Sequence, residues 1–137
     1  MRKSLIDAGP LIALFDGDDN HHGRVNNFLK SYRGRLVTSW PVITETLHML
    51  DFDVRVQVDF LKWIQHDALD IIPLTKEHLS RIIALTSKYA DVPMEFADAS
   101  LIVISELEYI KEIITIDSGF HIYRNLRREM LKNLLDS

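Results

Sequence analysis

The sequence has 137 residues, 47% of them hydrophobic, with no cysteine and a formal net charge of −4. Those figures suit one globular domain with a buried core, and they exclude disulfides, thiolate zinc sites and a cysteine nucleophile. A net acidic chain does not coat nucleic acid by bulk electrostatics, so any such contact needs a local basic patch or a bound cation.

No apolar run reaches the length of a bilayer span. Arg2 and Lys3 are not followed by an extended apolar stretch, so no signal peptide is expected. The lack of cysteine agrees with a cytoplasmic location. Neither a repeat nor a linker interrupts the chain, and residues 1–137 are expected to form one domain.

In chain order, "KSLID" reads as a strand ending at Asp7, and "AGPLIALFD" as a helix broken by the turn-rich "DGDDN". "HHGRVNNFLKSY" has Val25, Phe28 and Leu29 at helical spacing, with an N-cap expected at Asn20. "GRLVTS" is a second strand, and "WPVITETLHML" a helix with Pro41 in its first turn, where proline is tolerated. "VRVQVDFLKWIQH" carries both periods, since Val54, Val56 and Val58 alternate, but its length favours helix. "LDIIPL" is a third strand, and "TKEHLSRIIALTSKY" a helix with Thr75 and His78 in capping positions. "MEFADASLIVISE" is a further helix, with Asp91 as an expected cap. "KEIITID" is a fourth strand ending at Asp117, "HIYR" a short fifth, and "NLRREMLKNLL" a terminal helix. Strands alternating with helices imply an α/β fold with a mostly parallel sheet covered on both faces. Ligands bind at the carboxyl ends of such strands, where Asp7 and Asp117 lie.

Four acids stand where a carboxylate is awkward. Asp7 and Asp117 end apolar strands, Glu45 shares a helix face with Val42 and Met49, and Asp98 lies among small and apolar residues near a helix start. If the first and last main strands are neighbours, Asp7 and Asp117 converge, and the flanking helices can aim Glu45 and Asp98 at the same point. Two carboxylates about 4 Å apart repel by roughly 4 kcal/mol at an effective dielectric of about 20. Such a cluster needs protons or a cation. All-oxygen ligation suits a hard divalent ion, Mg²⁺ or Mn²⁺, which polarises a phosphoryl oxygen and generates hydroxide near neutral pH. Each acid also has a plain structural reading: Asp7 as a helix cap, Asp98 as a first-turn acid, Glu45 as a half-exposed side chain, Asp117 as a turn residue. The conjunction, with each acid at the expected end of its element, favours phosphodiester hydrolysis.

Taken in order, "LIDAGPLIALFD", "VTSWPVITETLHML", "YADVPMEFADASLIVISE" and "IITIDSGFHIYR" resemble the four acid-bearing segments of PIN-domain nucleases, close to VapC-type toxins. The resemblance runs over nearly the whole chain. It assigns Asp7, Glu45, Asp98 and Asp117 to catalysis and metal binding. It implies a three-layer α/β/α sandwich with four to five strands, Mg²⁺ or Mn²⁺ dependence, endoribonuclease activity on RNA, a homodimer and a partner antitoxin. Glu95, Thr115 and Ser118 become candidates for holding water or orienting the ligands. His22 near the cleft mouth, and Arg124, Arg127 and Arg128 on one face of a helical tail, become candidates for contact with RNA or the partner.

Other readings are weaker. The acids and histidines of "DGDDNHHG" form a solvated loop more readily than a metal site, and Trp40, Trp63, Phe28, Phe52 and Phe60 suit core or interface better than base stacking. An aspartyl-phosphate phosphatase wants an acid where Gly9 stands. A signalling receiver wants an aspartate at the end of a middle strand, and "LDIIPLT" has none. A degenerate, non-catalytic PIN module would have lost an acid, and all four persist.

Overall fold

The computed structural model describes residues 1–136. Five strands, β1 (Lys3–Ile6), β2 (Arg35–Thr38), β3 (Asp70–Ile71), β4 (Glu112–Ile114) and β5 (Lys132–Asn133), form one sheet in the order β3-β2-β1-β4-β5. Every pairing is parallel. Leu5 and Ile6 of β1 pair with Ile113 and Ile114 of β4. Ser4, Leu5 and Ile6 are all fully buried, although successive side chains point to opposite faces of a sheet. Both faces are therefore covered, and the fold is the expected three-layer α/β/α sandwich.

The layers are built from α1 (Ala8–Phe15), α2 (His22–Ser31), α3 (Trp40–Met49), α4 (Val54–Gln65), α5 (Leu79–Lys88) and α6 (Phe96–Glu108). Local chemistry sets their starts. Asp7 caps α1 by accepting the Ala8 N–H, and Asp53 caps α4 by accepting that of Arg55. Ser39 caps α3, with Pro41 in the first turn. The Asp53 cap, with buried Phe60, settles 54–65 as helix despite its alternating valines. His78 accepts the Thr75 N–H across a 3-10 turn at Lys76–His78 that leads into α5. Every residue of α6 from Ala97 to Ser105 is buried, as expected of a helix packed on several sides. The helix stops at Tyr109, which adopts the left-handed conformation at φ 56°.

The structure corrects four local expectations. "HIYR" is not a strand: His121 closes a 3-10 turn at Ser118–His121 and Tyr123 is buried beneath it. The 125–135 segment is not an α-helix; its only helical residues among those described are Leu134 and Leu135, in a 3-10 turn at Leu134–Asp136. The Asn125 side-chain oxygen accepts the N–H groups of Arg127 and Glu129, Arg128 has φ 62°, and the chain then adds β5 to the sheet edge beside β4. An asparagine that binds its own downstream backbone competes with helix formation. Asp91 lies in a turn and Glu95, not Asp91, occupies the N-cap position of α6. The N-cap of α2 is likewise not Asn20 but His21, which makes no side-chain capping bond; Asp19 accepts the His21 N–H in the preceding turn.

Candidate active site

Because β1 and β4 are neighbours, the acids that follow them meet. Asp7 leaves β1 directly into α1, and Asp117 lies three residues beyond β4 at the start of the 3-10 turn. Asp98, in the first turn of α6, comes from the side. One carboxylate oxygen from each of Asp7, Asp98 and Asp117 lies within 4.8 Å of the others. Glu45 is half-buried on α3 and lines the same cleft, outside this triad. A buried hydrogen bond of 2.7 Å between the Ser39 and Ser100 hydroxyls ties the start of α3 to α6, the two helices that carry Glu45 and Asp98.

The cleft has a volume of about 620 Å³. Asp7, Glu45, Glu95, Asp98 and Asp117 line it, and no arginine, lysine or histidine does so among the described residues. Neighbouring hydrogen bonds fix the triad acids and leave room for a ligand. Asp7 accepts the Ala8 N–H at 2.8 Å and the Thr115 hydroxyl at 3.0 Å. Thr115 Oγ1 in turn accepts the Asp117 N–H at 3.0 Å, so one hydroxyl fixes two acids. Asp117 Oδ1 accepts the Gly119 N–H, while its Oδ2 has no hydrogen bond among the described residues. Asp98 Oδ2 accepts the Glu95 N–H at 3.0 Å, and the Tyr123 hydroxyl stands 3.4 Å from the same oxygen.

Electrostatics mark the cluster as unsatisfied without a cation. Burial pushes Asp7 up to about 6, against the Ala8 and Thr115 hydrogen bonds, with the Glu45 and Asp117 charges adding to the rise. Burial pushes Asp98 up to about 7, against its hydrogen bond from Glu95, and the charges of Asp7, Asp117 and Glu95 add to it. Glu45 is raised by burial and by Glu95, Asp98 and Asp117. Carboxylates raised by burial and by one another in this way mark a candidate functional site. Burial and the same acids hold the Tyr123 phenol far above its ordinary value, so it remains a donor. Hard oxygen donors and uncompensated negative charge fit a divalent cation.

Of the supporting candidates, Thr115 is buried between two acids, while Glu95 and Ser118 are exposed on the cleft wall. His22 does not line the cleft: its Nδ1 lies 2.7 Å from the Ala13 carbonyl and pins α2 to α1. The three arginines share no helix face. Arg124 turns back onto the carbonyls of His121, Ile122 and Tyr123, whereas Arg127 lies over the Tyr109 ring and Arg128 occupies the adjoining turn. Asp16 and Asp19 make turn hydrogen bonds, as a solvated loop requires. Tyr123, Gly119 and Asn133 do not stand out in the sequence. A Cβ at Gly119 would stand 2.9 Å from the Tyr123 hydroxyl and 3.2 Å from Asp117 Oδ1, so the "SGF" glycine is the one local signal for that packing.

A parallel sheet with acids converging beyond its central strands defines a class, and the chain belongs to the PIN domain family, whose model matches residues 4–126. Among characterised relatives it is similar to ribonuclease VapC26 of Mycobacterium tuberculosis, at 24% identity over 115 residues, covering 82% of this chain and 85% of that protein. Its fold matches the crystal structure of Mycobacterium tuberculosis VapC20, a Sarcin–Ricin loop cleaving toxin, with a TM-score of 0.78 and 18% identity over 86% of this chain and 92% of that one. It also matches a chain of a toxin–antitoxin complex from Klebsiella pneumoniae, with a TM-score of 0.63 and 19% identity over 84% and 87% of the two chains.

Proposed function

We propose that this protein is a metal-dependent endoribonuclease that hydrolyses RNA phosphodiester bonds as the toxin of a toxin–antitoxin pair. The observation that carries the chemistry is the convergence of Asp7, Asp98 and Asp117 in a cleft with no lining cation among the described residues. The similarity to a VapC ribonuclease and to a chain of a toxin–antitoxin complex supports the substrate and the biological class. Residues 1–137 act as one nuclease unit. A homodimer, an antitoxin partner and a cytoplasmic location complete the reading. Among the described residues, no helix is long and apolar enough to cross a membrane.

Asp7, Asp98 and Asp117 would hold Mg²⁺ or Mn²⁺. When bound, the ion supplies Lewis-acid polarisation of the phosphoryl group and lowers the pKa of water. Glu45 stands outside the triad on the same cleft, and its raised pKa suits a group that accepts a proton from water as the phosphorus is attacked. Thr115 keeps Asp7 and Asp117 in register, and Ser118 and Glu95 present polar groups to the substrate side of the cleft.

The test is cleavage of a mixed RNA pool with Mn²⁺ or Mg²⁺, beside the same reaction in EDTA. Cleavage confined to the metal-containing samples is expected. Equal cleavage in EDTA would rule the metal mechanism out.

A further inference from the structure

The family match ends at residue 126, before β5 begins. Yet the second residue of β5 reaches the acid cluster through a single intermediary. β5 pairs with β4 only at Glu112–Lys132 and Ile113–Asn133. Beyond that register, the Asn133 side chain takes over the work of a strand. Its Oδ1 accepts the Thr115 N–H at 3.2 Å, and its Nδ2 donates to the Thr115 carbonyl at 2.9 Å. The same Oδ1 accepts the Leu135 N–H at 3.2 Å, which fixes the amide from behind. Both peptide groups of one residue are thus held by one side chain. That residue is Thr115, whose hydroxyl binds Asp7 and the Asp117 backbone.

We infer that Asn133 is a positioning residue of the acid cluster, acting through Thr115 to set the relative placement of Asp7 and Asp117. The inference rests on the metal-site reading above. A side-chain amide is suited to this task because it offers a donor and an acceptor in one plane, matching the N–H and C=O of a facing peptide. Thr115 is buried, so without Asn133 its peptide groups would have to move or find other partners. Movement there is passed to the Asp7 carboxylate and to the Asp117 backbone at once. The C-terminal segment therefore works as a clasp on the site, and not merely as an edge strand.

A purely structural role for Asn133 would lower stability and leave ion binding alone. Mn²⁺ binding by the full chain, titrated calorimetrically with no RNA present, separates the two. Asn133→Asp preserves the shape but places an oxygen against the Thr115 carbonyl. It should weaken Mn²⁺ binding by about 10-fold, the scale of losses on removing outer partners of metal ligands. In a Thr115→Val background the same substitution should add less than about 2-fold, because the hydroxyl that transmits its effect is gone. A measurement on the unmodified protein keeps the test independent of variant folding. Saturation with Mg²⁺ should shift the Asn133 side-chain amide resonances in a nitrogen–proton NMR spectrum. Unchanged Mn²⁺ affinity in Asn133→Asp, full additivity with Thr115→Val, or an unmoved amide signal would each overturn the inference while leaving the metal site intact. Wild-type protein that bound neither ion would overturn the metal-site reading and this inference with it.

Discussion

The Tyr123 hydroxyl lies 3.4 Å from Asp98 Oδ2, on the oxygen already held by the Glu95 N–H. Its ring is wedged edge-on between Tyr89 and Phe120, with centroids 5.1 and 5.2 Å away. Position therefore comes from the ring, while the hydroxyl stands between Asp98 Oδ2 and the Pro93 carbonyl, 3.4 Å from each. Tyr123→Phe should keep the packing and remove the donor. Melting temperature without metal should shift little, because the lost contact is long. Asp98 should become harder to ionise, and Mn²⁺ affinity near pH 7 should fall several-fold. Calorimetric titration of both proteins checks this, and equal affinities would assign the tyrosine to packing alone.

Gly119→Ala tests the same corner sterically. The new methyl would stand 2.9 Å from the Tyr123 hydroxyl and 3.2 Å from Asp117 Oδ1. Overpacking of this kind costs about 1–3 kcal/mol, read as a lower denaturation midpoint. Adding Tyr123→Phe removes the nearest struck atom, so the double variant should recover part of the loss. Two strictly additive penalties would mean that the clash lies elsewhere.

Stability of the metal-free protein should depend on pH with a definite sign. Asp7 and Asp98 titrate from 3.8 in the unfolded chain, but at about 6 and about 7 in the fold. Between those values the folded state holds the extra protons, so stability falls as pH rises. Each tenfold gain in proton affinity corresponds to about 1.4 kcal/mol, and because the two carboxylates share one cleft they titrate together. Asp70 and Glu112 act in the opposite sense. Arg35 and Arg2 hold them below their ordinary values, and their contribution is lost as pH falls through the acid range. The metal-free protein should therefore be most stable near about pH 4 and lose stability steadily from there towards neutrality. Stabilisation by Mn²⁺ should grow as pH rises through about 6 and 7, because the ion replaces those protons. Melting curves in EDTA and in Mn²⁺ from about pH 4 to 8 decide it; a metal-free optimum above neutrality would contradict the raised proton affinity of the two acids.

Asp7, Asp98 and Asp117 were legible in the sequence because each ends or begins a strongly patterned element, and Glu45 because it shares a helix face with Val42 and Met49. Apolar runs before Asp7 and Asp117 identified strands, and strand ends are where α/β sheets bind ligands. Asp98 stood out because it lies among small and apolar residues at the start of α6. The C-terminal region was not legible for a physical reason. Residues 125–135 contain helix-forming side chains, but their conformation is decided by the Asn125 turn and by the exposed edge of β4, which β5 fills. The grip of Asn133 on Thr115 spans 18 residues and leaves no local pattern. The arginines followed the same error, since a shared face existed only if the tail were helical.

Asp98→Asn isolates the charge of one member of the cluster. Asp98 is buried with two other carboxylates at hand, and its amide analogue keeps the shape while removing one charge. At about pH 8, where the acid is ionised in the folded wild type, the metal-free variant should be the more stable protein. At about pH 5, where folded Asp98 carries a proton but the unfolded chain is already ionised, the gap should be smaller, and it closes only near about pH 4. Excess Mn²⁺ should move the order at the higher pH towards the wild type. An ion at about one hundred times its dissociation constant stabilises the fold by about 2.7 kcal/mol, and the variant forgoes most of that. RNA cleavage should be lost in the variant, since the set of carboxylates that would hold the ion is incomplete. A residue that merely favoured the start of α6 would give a different pattern. The variant would then be less stable at every pH above the carboxylate range by about 0.3–1 kcal/mol, and Mn²⁺ would raise both melting temperatures alike. Paired melts of the two proteins at the two pH values, with EDTA and with Mn²⁺, distinguish these outcomes. An equal metal shift together with retained cleavage would remove Asp98 from the site.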